Sequence, residues 1–251
     1  MILHDEDSRL ADGDRLFDED NGVVLRRWVA GALDTNTWVV HAPDSRDALL
    51  VDPGDDPERL AAAVQDLRIQ AIVLTHAHWD HLLALPLLAE LVDAPVLAHP
   101  AASEVWAHEL QHLEEHGHWD AGTATGDLLP TGLLALDPER RVWDGRIDAE
   151  LADGDELVVG GLVVQVVHTP GHTPDGVTLA MPGHLLTGDT LFPGGPGLTG
   201  WPLSDFDTIM KSVEQLLTTY DVATGIHPGH GDSTTVGAEA PSLEAWRARG
   251  W

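Results

Sequence analysis

The chain reads as an α/β fold, and three features of its pattern carry that expectation. Short, largely apolar runs recur at residues 23–30, 48–51 and 71–74, each ending at a polar residue or a glycine. Longer segments with helical periodicity lie between several of them. From 156 to 187 the apolar runs follow one another with no helix between. Alternation followed by a strand-rich stretch is compatible with two mixed sheets carrying helices on their outer faces. At 251 residues the chain can bury a sizeable core.

Taken in order, residues 23–30, 37–41 and 48–51 read as strands. Residues 57–67 read as a helix, with Asp56 placed to cap it and Pro57 in the first turn, where a missing N–H costs nothing. A buried strand at 71–75, a helix at 82–91 and a strand at 95–98 follow. Residues 101–115 read as helical. The stretch 117–136 is rich in Gly and Thr, and 138–148 is charged. This interruption, at about 104–147, is expected to be a lid insertion within one domain spanning 1–251, since long insertions often cover active sites. Residues 156–167, 176–181 and 184–187 read as strands, 205–218 as a helix and 222–226 as the last strand.

The most informative stretch is Thr75-His76-Ala77-His78-Trp79-Asp80-His81, directly after the apolar run 71–74. Imidazoles and carboxylates are ligands that Zn²⁺, Fe and Mn accept. In extended chain His76 and His78 point to the same side. Asp80 and His81 follow where the chain turns, so one loop can offer one pair of ligands to one metal and another pair to a second. Three further turns place candidates after apolar runs: His168-Thr169-Pro170-Gly171-His172, Thr187-Gly188-Asp189 and Ile226-His227-Pro228-Gly229-His230. Functional groups concentrate on such loops, held by a rigid scaffold. Spacing alone leaves His168 beside His172, and His227 beside His230.

With Asp52 in Val51-Asp52-Pro53-Gly54, these motifs resemble the metallo-β-lactamase superfamily, and within it the glyoxalase II-like hydrolases. The resemblance runs from residue 51 to 231. It implies a four-layer αββα sandwich of two mixed β-sheets flanked by helices. It implies two divalent metal ions, zinc first and Fe or Mn as alternatives. One would take His76, His78 and His172, the second Asp80, His81 and His230, with Asp189 bridging. Asp52 would orient the site without ligating, and His172 and His230 are preferred over His168 and His227 because the family's ligands follow Pro-Gly. The implied activity is hydrolysis of a thioester or related ester by a metal-bridging hydroxide, with Asp80 and Asp189 as catalytic carboxylates.

Related activities differ at particular residues. Flavodiiron proteins carry Glu where this chain has His78. Persulfide dioxygenases use a single iron and a different segment after the aspartate. Zinc β-lactamases generally lack the bridging aspartate. Quorum-quenching lactonases place a tyrosine by the metals, and the one tyrosine here is Tyr220. A lactonase, a β-lactamase-type hydrolase, a persulfide dioxygenase and a non-enzymatic metal-binding protein are the alternatives. In glyoxalase II a long helical region that binds glutathione follows the last metal histidine. Here 21 residues follow His230, so those glutathione contacts are not carried over.

Two segments stand outside the motifs. The glycine-rich loop 193–200 lacks the Lys and context of a phosphate loop; it is expected to rim the active site, with Trp201 as a substrate-pocket wall. His108, His112 and His116 recur at helical spacing, with His118 and Trp119 after them. They are expected to form mostly a solvated helical face.

Composition bounds the setting. No cysteine is present, so disulfides, thiolate ligands and a thiol nucleophile are excluded. No apolar run approaches the ~20 residues of a membrane span, and the acidic start lacks a signal-peptide pattern. A cytoplasmic protein without membrane partners is expected. With 13 basic against 42 acidic residues, the net charge is −29. Such a field repels a phosphate backbone, so the expected partner is a small-molecule substrate and not nucleic acid.

Overall fold

Three apolar cores stacked through the molecule define its layers. The structure is a computed structural model that describes residues 14–116 and 142–250. The first sheet runs in the order β1 (Asp14–Asp18), β2 (Val23–Ala30), β3 (Thr35–His41), β4 (Asp47–Val51), β5 (Arg68–Val73), β6 (Val96–Ala98) and β7 (Ala149–Glu150). Strands β1 to β4 are antiparallel neighbours. Strands β4 to β7 are parallel, which requires crossovers. Helices α1 (Pro57–Ala63), α2 (Leu85–Val92) and α3 (Ala102–His116) lie in those crossovers.

The second half supplies β8 (Glu156–Val159), β9 (Leu162–His168), β10 (Val177–Met181) and β11 (His184–Gly188). A small ribbon of β12 (Leu191–Phe192) and β13 (Gly195–Pro196) comes next, then β14 (Gly225–Pro228) and β15 (Thr234–Thr235). The second sheet has the order β15-β14-β11-β10-β9-β8. Helix α4 (Phe206–Thr219) crosses between the parallel strands β11 and β14, and α5 (Val236–Glu239) and α6 (Leu243–Arg249) close the chain.

Strand alternation sorts side chains into these cores. Val39, Leu50 and Ile72 point outward and meet Leu60 of α1, Leu85 and Leu88 of α2 and Trp106 of α3. Their neighbours Val40, Leu49 and Val73 point inward, against Val164, Val166, Leu179 and Leu186 of the second sheet. The far face of that sheet, with Val167, Leu185 and Ile226, packs on Ile209, Val213 and Leu216 of α4 and Trp246 of α6. Helices, sheet, sheet and helices therefore form the four-layer αββα sandwich. Strand β3 is buried throughout because both of its faces are covered. Each fully buried leucine contributes ~1.5–3 kcal/mol by removal from water.

Several boundaries differ from the sequence expectation for local reasons. The run 156–167 is a hairpin: Gly160 and Gly161 have φ of 56° and 90°, which a two-residue turn with both central residues left-handed requires. The helix expected over 57–67 ends at Ala63. Asp56 stands at its N-cap position with φ 57°, and its carboxylate makes no cap bond. An N-cap side chain reaches the helix from extended backbone; Asp56 instead lies 3.7 Å from Arg59. Asp205 shows the contrast: extended at φ −148°, it accepts from Thr208 N at 2.7 Å. A short 3-10 turn (Trp79–His81) precedes α2, which starts at Leu85 rather than 82. Residues 221–224 form a turn closed by Thr224 N on Asp221 O, so the strand expected at 222–226 is β14, starting at Gly225.

The flanks of the expected lid are part of the scaffold. Residues 104–116 lie in α3, where Val105 and Trp106 join the first outer core with Trp143. Trp106 Nε1 donates to Trp143 O at 3.0 Å. His118 and Trp119 lie outside the described residues. Among the described residues, no helix is long and apolar enough to cross a membrane.

Candidate metal centre

Each sheet ends in a loop that turns polar side chains toward one point. At the end of β4, Asp52 adopts φ 53°, uncommon for a residue with a Cβ. The bonds around it hold that conformation. Thr37 Oγ1 donates to its carbonyl at 2.7 Å, and Thr75 N and Oγ1 donate to its carboxylate at 2.7 and 2.6 Å. From β5 the chain runs through His76 and His78 into the 3-10 turn holding Asp80 and His81. The second sheet brings His172 after β9, Asp189 after β11 and His230 after β14. Asn36 N donates to Gly229 O and Gly229 N to Gly188 O, at 2.6 and 2.9 Å. These bonds pin the His230 loop between the two sheets.

All seven side chains converge. Ligand atoms of His76, His78 and His172 lie within 4.8 Å of one another; so do those of Asp80, His81 and His230, and those of His76, His81 and Asp189. His78 Nδ1 is 3.1 Å from His76 Nε2 and 3.0 Å from His172 Nε2. His81 Nε2 is 3.3 Å from His230 Nε2. Asp189 stands between the groups: Oδ1 is 3.5 Å from His81 Nε2, and Oδ2 is 3.6 and 3.5 Å from His172 and His230 Nε2.

The outward nitrogens are tied to the scaffold. His81 Nδ1 donates to Asp52 Oδ2 at 3.0 Å, His172 Nδ1 to Leu198 O at 2.8 Å and His230 Nδ1 to Leu33 O at 3.0 Å. His76 Nδ1 meets Thr75 Oγ1 at 3.1 Å. Such partners fix the ring orientation and aim the other nitrogen inward, as metal-ligating histidines need. Thr35 Oγ1 donates to Asp80 Oδ2 at 2.9 Å. Gly229 must lack a side chain here, because a Cβ would collide with Asp189 Oδ1 and His81.

Electrostatics divides the cluster. Burial, helped by neighbouring histidines, holds His76 well below the usual imidazole range and His78 down at about 3. Burial also lowers His172. Burial opposes protonation of His81 and His230 too, but the carboxylates of Asp80 and Asp189 outweigh it and raise them to about 9 and about 11. Asp189 is held ionised, well below the usual carboxylate range, by His230 and His81 against the effect of burial. Its Oδ1 is buried with no hydrogen bond. An orphaned carboxylate oxygen facing inward imidazoles suits a cation, and the N/O donor set suits divalent transition ions.

The expected residues separate cleanly in space. His76, His78, Asp80, His81, His172, Asp189 and His230 come together, with Asp52 behind them. His168 does not join: its Nε2 bonds Pro174 O at 2.9 Å and its ring stacks on His99. His227 points elsewhere, to His184 Nδ1 at 3.0 Å and Ser233 Oγ at 2.8 Å. Tyr220 packs on the second outer core. Trp201 lies edge-on to His172 and His78, at 5.1 and 6.0 Å between ring centres. It lines a cavity of about 1450 Å³ that also reaches Phe192, Leu198 and the inner side of α3. The carbonyls of Leu33 and Leu198 have no sequence signature; the Thr75 hydroxyl could have been noticed beside the histidine motif.

Comparison with known proteins places the fold in a family. The family model described as the metallo-β-lactamase superfamily matches residues 30–237. The chain belongs to that superfamily, most of whose members are metal-dependent hydrolases. It is similar to the hydroxyacylglutathione hydrolase GloC of Haemophilus influenzae, 30% identical over 79% of this chain and 87% of that protein. Among solved structures, TTHA1623 in a di-iron-bound form is 33% identical, with a TM-score of 0.65 over 85% of this chain and 96% of that one. The B3 metallo-β-lactamase BLEG-1 is 28% identical, with a TM-score of 0.66 over 86% and 96%.

Proposed function

We propose that the protein is a dinuclear metal-dependent hydrolase acting on a small-molecule thioester or related ester. The observation that carries the proposal is the shared carboxylate. Asp189 lies between two three-residue ligand sets, within 3.6 Å of imidazoles of both. His76, His78 and His172 would hold one ion, and Asp80, His81 and His230 the second, with Asp189 bridging. Zinc is the first choice of metal; the di-iron form of TTHA1623 supports iron as the alternative. When bound, such a pair supplies a nucleophile at neutral pH and polarises the scissile carbonyl.

The chain's own residues do the rest. Asp52, Thr75, Leu198 O and Leu33 O hold four imidazole rings in one orientation, so the ligand set is preorganised. Asp80, held by Thr35 and lying 3.2 Å from His230 Nε2, is placed to keep the attacking water oriented. Trp201 and Phe192 form apolar wall around the reacting bond. The thioester reading is supported by the likeness to GloC, and the β-lactam alternative by BLEG-1. The test is turnover by metal-loaded protein across acyl-thioesters, lactones, β-lactams and phosphodiesters, with persulfide oxidation as a separate arm. Thioester hydrolysis leading the panel is expected; oxygen-consuming persulfide oxidation, or no hydrolysis in any arm, overturns the reading.

A further inference from the structure

We propose that Glu109 of α3 is a positioning residue for His78, holding the outward nitrogen of that imidazole so that the other faces the first ion. The proposal rests on the dinuclear reading above and adds to it a carboxylate from outside the ligand loops. His78 presents Nδ1 to the cluster, 3.1 Å from His76 Nε2 and 3.0 Å from His172 Nε2. Nε2 is therefore its outward nitrogen. An imidazole whose Nδ1 gives a lone pair to an ion carries its proton on Nε2 and needs an acceptor there. The imidazoles of His76, His81, His172 and His230 each meet a scaffold oxygen on the outward side, at 2.8 to 3.1 Å. On the outward side of His78, Glu109 Oε1 lies 4.0 Å from Nε2.

That distance is a small side-chain movement from a hydrogen bond. N–H to oxygen bonds form at roughly 2.7–3.2 Å, so about 1 Å of travel closes the contact. Glutamate makes such a step within its side-chain torsions, with the backbone at rest. Both residues line the same cavity, and their side chains are only 17% and 14% exposed, so bulk water competes weakly for either group. The backbone carrying Glu109 is fixed. Val105, one turn earlier on α3, is buried in the first outer core, and Trp106 donates Nε1–H to Trp143 O at 3.0 Å. Leu110 and Leu113 pack on the same core. The carboxylate is thus delivered by a docked helix, which positions a group more closely than a loop does. A carboxylate behind a ligating imidazole also makes the ring a stronger donor to the ion.

The experiment is a Co²⁺ titration of the full chain followed by visible absorption, with elemental analysis of the Zn²⁺-loaded protein after gel filtration. The proteins are the wild type, Glu109→Ala, Glu109→Gln and Glu114→Gln, each checked for folding by circular dichroism. Glu114 is exposed on the same helix, so its variant controls for the loss of one negative charge. Glu109→Ala is expected to weaken one of the two ions by about 10–100-fold, the range for partners that orient ligands. It should alter the absorption of that ion and leave the second, on Asp80, His81 and His230, at its wild-type affinity. Glu109→Gln keeps an acceptor oxygen without the charge and should fall between wild type and Glu109→Ala. Wild type binding fewer than two ions overturns the dinuclear reading, and this proposal with it. Two ions in wild type, with Glu109→Ala matching Glu114→Gln in affinity and spectrum, overturns this proposal alone. So does equal weakening of both ions in Glu109→Ala, because that is an effect of the carboxylate's field and not of His78.

Discussion

His81 divides its two ring nitrogens between scaffold and centre. Nδ1 donates to Asp52 Oδ2 at 3.0 Å, while Nε2 faces Asp80 Oδ2 at 3.4 Å and Asp189 Oδ1 at 3.5 Å. Asp52 also receives both bonds from Thr75, the residue before His76. One carboxylate therefore sets a ligand of each proposed ion. Asp52→Ala is expected to lower metal affinity or activity by ~10–100-fold, the range for partners that orient ligands. Equilibrium dialysis and kcat/KM check it; unchanged affinity would detach Asp52 from the centre.

Asp189→Ala should reduce a stoichiometry of about two ions per chain to one or fewer and remove most hydrolysis, because the shared carboxylate goes. His168→Ala is the comparison. That imidazole lies outside the cluster, bonded to Pro174 O. It should leave the stoichiometry unchanged. Elemental analysis of both variants, with folding verified, checks the pair; equal metal loss in both would contradict the assignment.

The fold was legible where periodicity was strong. Residues 23–30 and the paired runs around 48–51 and 71–74 announce buried strands because every other residue enters a different core. The ligand loops were legible because His and Asp follow those runs directly. What the sequence hid depends on backbone direction. Asp56 reads as a cap by residue type, yet its left-handed φ of 57° takes its carboxylate away from the helix. The carbonyls of Leu33 and Leu198 support two ligands with atoms that every residue has. Helix α3 reads as a helix, but only the structure shows that Trp106, Leu110 and Leu113 face the core while His108 and His112 line the cavity.

Metal uptake should release protons. In the metal-free chain His81 and His230 are raised to about 9 and about 11, so both are protonated at pH 7. Ligation needs the neutral imidazole. Affinity for the ion on Asp80, His81 and His230 should therefore rise with pH through neutrality, while His76, His78 and His172, already neutral, add little dependence. Indicator-dye measurement during Zn²⁺ titration in weak buffer checks it. Uptake of both ions without proton release would exclude His81 and His230 as ligands.

Away from the centre, a hydrogen-bonded chain links Ser233, His227, His184 and Asp18. Successive distances are 2.8, 3.0 and 3.0 Å. One arrangement of protons satisfies it: Ser233 donates to His227, His227 to His184 and His184 to Asp18. Burial holds His227 down at about 3 and lowers His184. The unfolded imidazole titrates near 6.5, so this contribution to stability is complete above about 6.5. It is lost progressively as pH falls from there toward 3. His227→Gln should flatten the fall in Tm over that interval relative to wild type. Parallel Tm curves for the two proteins would show that His227 does not carry it.

Trp201 is expected to govern selectivity more than metal content. Its ring stands edge-on to His172 and His78, and the turn that presents it is fixed by Ser204, whose hydroxyl donates to Trp201 O at 2.8 Å. The indole thus has a set position beside the histidine cluster, on the cavity wall, without offering a ligand. Apolar pocket contacts discriminate by ~1–3 kcal/mol per methylene. Trp201→Ala should therefore change kcat/KM ratios between short-chain and bulky acyl-thioesters by about 10-fold or more, on that same scale. Ions per chain should stay at the wild-type value. Measuring both quantities across one thioester and lactone series separates the roles. Preserved ratios with loss of metal would mean that Trp201 props up His172 and His78, and that the wall selecting the substrate lies elsewhere.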